Sequence, residues 1–462
     1  MGRYKKLIEN SGVFFIANFG SKLISFFLVR FYTEYLTTTE YGNLDIITTT
    51  VSLAIPIITL CITEAVLRFS IDDDQNRKKI LSNGLLMVFI GNVIFTLAAP
   101  ILLTFKAISD YILWLYLLTI TNSIFNVTAH FTRGIGKTKV FALSGFIHTV
   151  VQIGLNIVLL AVFRWGIQGY LISSVVSNVA VIGYLIIAGR LLDYIGREID
   201  KGYLKKMLLY SIPLIPNALC WWIMQSADRY VIAAMMTSAD NGLYAAANKI
   251  PTIITTVSSI FLQAWQLSSV EEANSEDKSE FFSNVFQMLA AVLIIVASGI
   301  MFILQPLYHV FVQEDYYSGW TCVPPLLVAM IFSCFSSYLG TNYVAMKKTK
   351  GAFYTTIIGA IVNIVLNILL TPIWGINGTA FATAISFLIT WLIRSFDTRK
   401  FVIIKYRFVS FLIPLMLVII QAVILSIGFE SLWINLSIVI LIMATFSKQI
   451  IQVLQKVKTI RR

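Results

Sequence analysis

The 462-residue sequence predicts an all-α polytopic membrane protein of about 14 transmembrane helices. These form two parallel-repeat six-helix bundles around a central cavity, with two further helices at the C-terminus. Three observations predict this. Apolar residues make up 58% of the chain and charged residues only 13%, with a mean hydropathy of +0.81, which leaves too little polar surface to face water. Apolar stretches of about 20 residues follow one another across short gaps. Finally, short motifs from the first half recur in order about 200–211 residues later.

Spans are expected near 12–34, 41–68, 79–105, 109–132, 139–163 and 168–189. The second group falls near 204–236, 241–268, 280–304, 319–346, 351–373 and 376–394, and two more near 407–428 and 431–454. The opening stretch follows Arg3, Lys5 and Lys6 as a signal peptide would. It is too long for one, Lys22 interrupts it and no small-residue cleavage site follows, so it reads as an uncleaved span. Of 35 Lys and Arg residues, 28 lie in the termini and in every second loop, while the opposite loops hold only Lys106 and Arg164. That asymmetry places both termini in the cytoplasm. The net charge of +12 is thus a topology signal, and nucleic acid is excluded as a partner.

The repeat is read residue by residue. Lys137-Thr138-Lys139 recurs as Lys348-Thr349-Lys350, and the same offset carries Gln152 onto Asn363 and Asn156 onto Asn367. After a two-residue slip, Trp165-Gly166-Ile167-Gln168-Gly169 becomes Trp374-Gly375-Ile376-Asn377-Gly378. Leu36-Thr37-Thr38 with Glu40 answers Met236-Thr237-Ser238 with Asp240, and Arg30 falls opposite Arg229. The expected organisation is an N-terminal bundle over 1–190, a cytoplasmic linker over 191–203, a second bundle over 204–396, and two added helices with a basic tail over 397–462. Both halves enter from the same face, as in transporters built from parallel repeats, and can rock about a shared cavity.

Ionisable residues at membrane depth need a partner or a wet cavity. Lys22 lies roughly 18 Å of helix rise from the outer end of its span, with Asn18 and Ser25 one turn away. Lys249 lies roughly 10 Å into the eighth span. One lysine from each half suits an anion clamp across the cavity; snorkelling or a structural ion pair is the bland alternative. Arg30 and Arg229 serve either as cavity cations or as partners of Glu34 and Asp228. Glu64 stands four residues from Arg68, which suits a salt bridge; the rival reading is that Glu64 or Asp228 carries a coupling ion. Trp221 and Trp222 offer aromatic faces to a sugar ring or to lipid, and Pro56, Pro213, Pro216 and Pro251 should kink their helices.

No soluble catalytic domain appears, so the chain is not expected to be an enzyme. Arg133-Gly134-Ile135-Gly136-Lys137-Thr138 imitates the end of a phosphate-binding loop, but Phe131 stands where the leading glycine belongs and no strand precedes it. Cys61, Cys220, Cys322 and Cys334 show no CxxC spacing and read as core residues. His130, His148 and His309 lack metal-ligand spacing.

Tyr210-Ser211-Ile212-Pro213-Leu214-Ile215-Pro216-Asn217, Ser226-Ala227-Asp228-Arg229-Tyr230, Asn241-Gly242-Leu243-Tyr244, Ala247-Asn248-Lys249-Ile250-Pro251 and Gln263-Ala264-Trp265-Gln266 carry a resemblance. The chain resembles the bacterial polysaccharide-transporter (Wzx-type) flippases, relatives of the multidrug and toxin extrusion transporters and the lipid II flippases. The resemblance implies translocation of an undecaprenyl-diphosphate-linked oligosaccharide from the inner to the outer leaflet, for O-antigen, capsule or exopolysaccharide assembly. It further implies the bacterial cytoplasmic membrane, partnership with membrane lipid, a glycan polymerase and other assembly proteins, and a cationic cavity that Lys22, Arg30 and Lys249 would supply. No cofactor is expected beyond a proton or sodium gradient. A multidrug exporter of similar architecture and a membrane glycan polymerase are the competing expectations.

Overall fold

The computed structural model describes residues 28–97, 100, 109–196, 199–272, 275–346, 349–406 and 408–460, all-helical apart from turns and loops. Lys22 and most of the first span lie outside these residues. The described helices are α1 (28–35), α2 (Thr38–Ile58), α3 (Ile62–Asp72), α4 (Arg77–Leu97), α5 (Ile112–Gly134), α6 (Thr138–Asn156, extended by a π-turn segment Ile157–Val162) and α7 (Gly166–Ala188). Next come α8 (Lys201–Ser211), α9 (Ile215–Met235), α10 (Ser238–Ala247), α11 (Thr252–Glu271), α12 (Lys278–Phe302), α13 (Leu304–Phe311) and α14 (Val323–Ala345). The long helix Thr349–Asp397 breaks at Gly375 into α15 (349–374) and α16 (376–397), and α17 (Ile413–Ser426) and α18 (Leu432–Ile460) complete the chain.

Among the described residues, ten helical segments are long and apolar enough to cross a membrane, and one of them contains both α15 and α16. Three expected spans are interrupted, the one over 204–236 by a 3-10 turn at Ile212–Leu214. The span expected over 41–68 stops at Ile58 and resumes at Ile62, with Leu60 and Cys61 in the left-handed region. That expected over 241–268 breaks at Asn248–Pro251, where proline cannot supply a backbone donor.

The chain divides into two compact units, one of residues 35–222 and one of residues 1–34 with 223–462. In the first, α3, α4, α5 and α7 pack around Ile62, Val66, Leu81, Val127, Phe131 and Leu185. At that end Asp200 caps α8, accepting from Tyr203 N at 3.0 Å, and pairs with Lys79 at 3.1 Å. Tyr203 in turn donates to Asp73 at 2.9 Å. The Asn76 side chain holds the Asp73 carboxyl below its usual range, and the Tyr203 backbone N–H does so for Asp200. Both folded values are depressed, so their contribution is present above about pH 4 and fades as pH falls through them. In the second unit α14 is central: 89% of its membrane segment is buried, against 17% for α6. Trp265 stacks on Tyr338 of α14 at 4.8 Å, and its indole donates to Thr341 at 3.0 Å.

The sequence repeat reappears as repeated local structure. Thr37 accepts from Glu40 N at 3.2 Å while the Glu40 carboxylate accepts from Thr37 N at 3.0 Å, a capping box that starts α2. Thr237 and Asp240 repeat it at 3.1 Å both ways to start α10. Gly166 and Gly375 turn the two repeat-related hairpins with φ of 55° and 58°. In both halves a polar pair ties the hairpin together: Gln152 donates to Ser174 at 3.1 Å, and Asn363 to Thr383 at 3.4 Å.

At Gly166 a Cβ would stand 2.3 Å from Glu40 Oε1, the atom that accepts from Ile167 N at 3.2 Å. Gly166→Ala should therefore lower stability by about 1–2 kcal/mol from its left-handed backbone alone, with more from the clash. Thermal unfolding in detergent reads this, and an unchanged midpoint would show that the turn relaxes without cost.

Candidate functional site

The most heavily buried ion pair described is made by successive residues of α9. Asp228 and Arg229 are 3% and 8% exposed, and Arg229 Nη1 lies 2.6 Å from Asp228 Oδ1. The guanidinium also donates to Gln225 O, one turn back, at 2.6 Å. From α10, Tyr244 donates to the other carboxylate oxygen at 2.6 Å, and its ring centre lies 5.8 Å from the guanidinium carbon. Both carboxylate oxygens are used and the two charges cancel, which is how a buried pair becomes tolerable. The arrangement binds the end of α9 to α10 and keeps an acid and a base in contact at membrane depth. Tyr244→Phe would leave Asp228 Oδ2 short of a donor and should cost about 1–3 kcal/mol. A melting point equal to wild type would contradict this role.

The other candidates lie apart from this pair. Arg30 on α1 donates to Val312 O and, at 3.5 Å, to His309 O, at the C-terminal end of α13. A cation there meets the negative end of the helix dipole, so Arg30 takes backbone partners instead of Glu34. Lys249 is exposed in the turn between α10 and α11, not inside a continuous helix. Trp222 donates to Ser52 Oγ at 3.0 Å and to Thr49 O at 3.3 Å, which anchors its indole on α2, and Trp221 is half-buried. Glu64 is exposed in the first turn of α3, where the helix N-terminus favours an acid. Its expected partner, Arg68, pairs with Asp72 at 3.0 Å, four residues the other way along the exposed face. Lys22 lies outside the described residues.

Sequence reasoning missed Arg394, counted above with the loop cations. It is 2% exposed near the end of α16. Its Nε donates to Thr355 Oγ1 at 3.0 Å, Nη1 to Ser336 O at 2.7 Å, and Nη2 to Thr356 Oγ1 at 2.8 Å and Ala352 O at 3.3 Å. Thr355-Thr356 on the preceding span was the available signal, although adjacent threonines are common in helices. Deeper in the hairpin, Asn367 donates to Asn363 at 3.0 Å and Thr371 bonds Thr379 at 2.8 Å.

A family profile described as "Polysaccharide biosynthesis protein" matches residues 7–266. An uncharacterized membrane protein of Methanocaldococcus jannaschii is 23% identical over 201 residues, 43% of this chain and 47% of the relative, so the match spans about half of that protein. Among solved structures, the lipid II flippase MurJ in an inward closed conformation superposes with a TM-score of 0.65 at 16% identity, covering 96% of this chain and 99% of that one. An inward-facing multidrug resistance MATE transporter of the MOP superfamily gives 0.61 at 13%, over 86% and 94%. A MOP superfamily transporter from Pyrococcus furiosus gives 0.59 at 12%, over 86% and 97%. At such identities the likeness is one of fold.

Proposed function

Because the chain belongs to the polysaccharide biosynthesis protein family, we propose that it is a flippase for an undecaprenyl-diphosphate-linked oligosaccharide. It turns this lipid from the inner to the outer leaflet by alternating access, for O-antigen, capsule or exopolysaccharide assembly. The observation that carries the reading is the family match joined to a flippase-like fold along 96% of the chain. The reading places the protein in the bacterial cytoplasmic membrane with both termini inside, beside a glycan polymerase and other assembly proteins.

The diphosphate sets the chemical problem. A dianion cannot enter a low-dielectric interior without compensating charge. Lys22 and Lys249 are assigned to that task, with Arg30 and Arg229 as further cations and Trp221 and Trp222 as surfaces for the sugar. Of these, Arg229 already shares its charge with Asp228. The two lysines therefore carry most of the burden in this proposal. A proton or sodium gradient supplies the energy.

A multidrug exporter is the competing reading, favoured by the likeness to MATE transporters. Deleting the gene in its host separates the two. A flippase mutant accumulates lipid-linked glycan on the cytoplasmic leaflet and loses surface polysaccharide. Normal surface polysaccharide with raised drug sensitivity would overturn the proposal.

A further inference from the structure

Among the described residues of the first unit, His148 is the one histidine near the middle of a helix long enough to cross a membrane, and none of the roles above uses it. It stands ten residues into α6, roughly 15 Å along a helix that must cross about 30 Å of hydrocarbon. Its Nε2 lies 3.1 Å from Asn178 Oδ1 and 3.3 Å from Ser177 Oγ, both on α7. Asn178 in turn donates to Thr121 Oγ1 of α5 at 3.1 Å. The imidazole ring stacks on Phe125 at 5.8 Å and 13°. By rise, Asn178 and Thr121 are each roughly 14–18 Å from their helix starts, so the three polar groups meet near the middle of the span.

A purely structural tie is already present in this hairpin. The Gln152–Ser174 bond does that work, and its repeat counterpart Asn363–Thr383 does it in the second half. The histidine cluster has no counterpart there. The repeat offsets bring His148 onto Gly359 and Asn178 onto Phe387. At Gly359 a Cβ would press within 2.1 Å of Thr390 Oγ1, so the matching space is filled.

Charge makes the placement unusual. The elements packed on α6 are α5, α7 and the π-turn segment, and none of them, nor α6 itself, contains Asp or Glu. Their titratable groups are Tyr116, His130 and Arg133 on α5, Tyr170 and Tyr184 on α7, and Lys139 on α6. No carboxylate on these helices can hold His148 as a cation, so protonation there must be driven from elsewhere and undone again. Intramembrane ionisable groups of this kind mark ion and proton pathways.

Further hydroxyl groups continue from the ring along α7. Ser177 Oγ donates to Ser174 O at 2.9 Å, and Ser174 Oγ donates to Tyr170 O at 3.0 Å while accepting from Gln152 at 3.1 Å.

We propose that His148, held at Nε2 between Asn178 and Ser177, takes up the coupling proton inside the membrane. Uptake adds one proton to the free lone pair of the neutral ring, and both ring N–H groups can then donate. Release toward the opposite face restores the neutral ring, and no other bond changes. A cation without a carboxylate favours whichever conformation hydrates it or offers it an anion, and that difference is what couples a proton to a change of state. This inference rests on the transport reading, because coupling presupposes a cargo.

The test uses the full chain and two separate readouts. In lipid nanodiscs with isotope-labelled histidine, the ring resonance that vanishes in H148Q should titrate between about pH 5 and 8, where imidazole changes charge. This needs no cargo and no folded variant beyond the one that assigns the signal. Gln retains an amide donor for Asn178, and the H148Q melting point checks that the fold survives. In proteoliposomes carrying polyprenyl-diphosphate glycan, an imposed pH gradient should speed wild-type translocation about tenfold, within the range of coupling between sites. H148Q should lose that response. A His148 ring that stays neutral throughout, or an H148Q chain with the wild-type gradient response, overturns the proposal. A wild-type chain that moves no glycan but whose His148 titrates sinks the flippase reading instead.

Discussion

Replacing Arg394 with alanine is expected to remove about 3–5 kcal/mol of stability, the cost of stripping one partner from a buried charged network. The guanidinium serves four acceptors drawn from α14 and α15, and is itself held in α16. Its loss removes the side-chain donor to the Ser336 carbonyl, leaves Thr355 and Thr356 only their bonds to Ala352 O at 2.9 and 2.7 Å, and opens a hole the size of the side chain. Typical domains hold about 5–15 kcal/mol in reserve, so the variant should accumulate poorly and melt early. Arg394→Lys should rescue little, since a single ammonium cannot reproduce the planar fork. Gly340 supports this placement: a Cβ there would lie 3.1 Å from Arg394 Nη1. Melting of purified protein measures the effect, and an Arg394→Ala chain as stable as wild type would show that water or a relaxed neighbour replaces the guanidinium.

Lys22→Ala and Lys249→Ala are each expected to cut glycan export by about tenfold or more, because a charge-assisted contact contributes roughly 1.5–3 kcal/mol. The two lysines are expected to meet the diphosphate as point charges. Arg at either position should retain part of the activity, since charge survives while length and geometry change. Gln should behave like Ala. Lys249 is exposed at the break between α10 and α11. Complementation of a deletion strain at matched protein levels reads the effect. Normal export by Lys22→Gln would mean that charge at this position is structural or irrelevant.

How much of this could be read from the sequence followed the range of the interactions involved. Thr37 with Glu40, and Thr237 with Asp240, are three residues apart, so a local motif carries the capping boxes into the structure. Gly166 and Gly375 are equally local, because each left-handed turn needs only its own backbone freedom. Breaks inside spans were less visible. An apolar window runs through Leu60 and Cys61 without registering that the chain turns there, although Pro56 and Pro251 hinted at a bend. Arg68 had two acids at helical spacing, Glu64 and Asp72, and only three-dimensional placement chose Asp72. Arg394 was hidden for a different reason. Its acceptors are mostly backbone carbonyls and threonines 38–58 residues away, which no charge pattern can announce. The same holds for His148, whose partners come from two other helices.

Translocation of a fluorescent undecaprenyl-diphosphate oligosaccharide by the purified full chain in proteoliposomes tests the central claim most directly. A membrane-impermeant quencher or glycan-cleaving enzyme added outside reports which leaflet holds the sugar. Lipid-linked glycan should become accessible across the bilayer in the presence of the protein, and more slowly with Lys22→Gln. Vesicles that keep the glycan on its original leaflet while the same protein exports cationic drugs would contradict it.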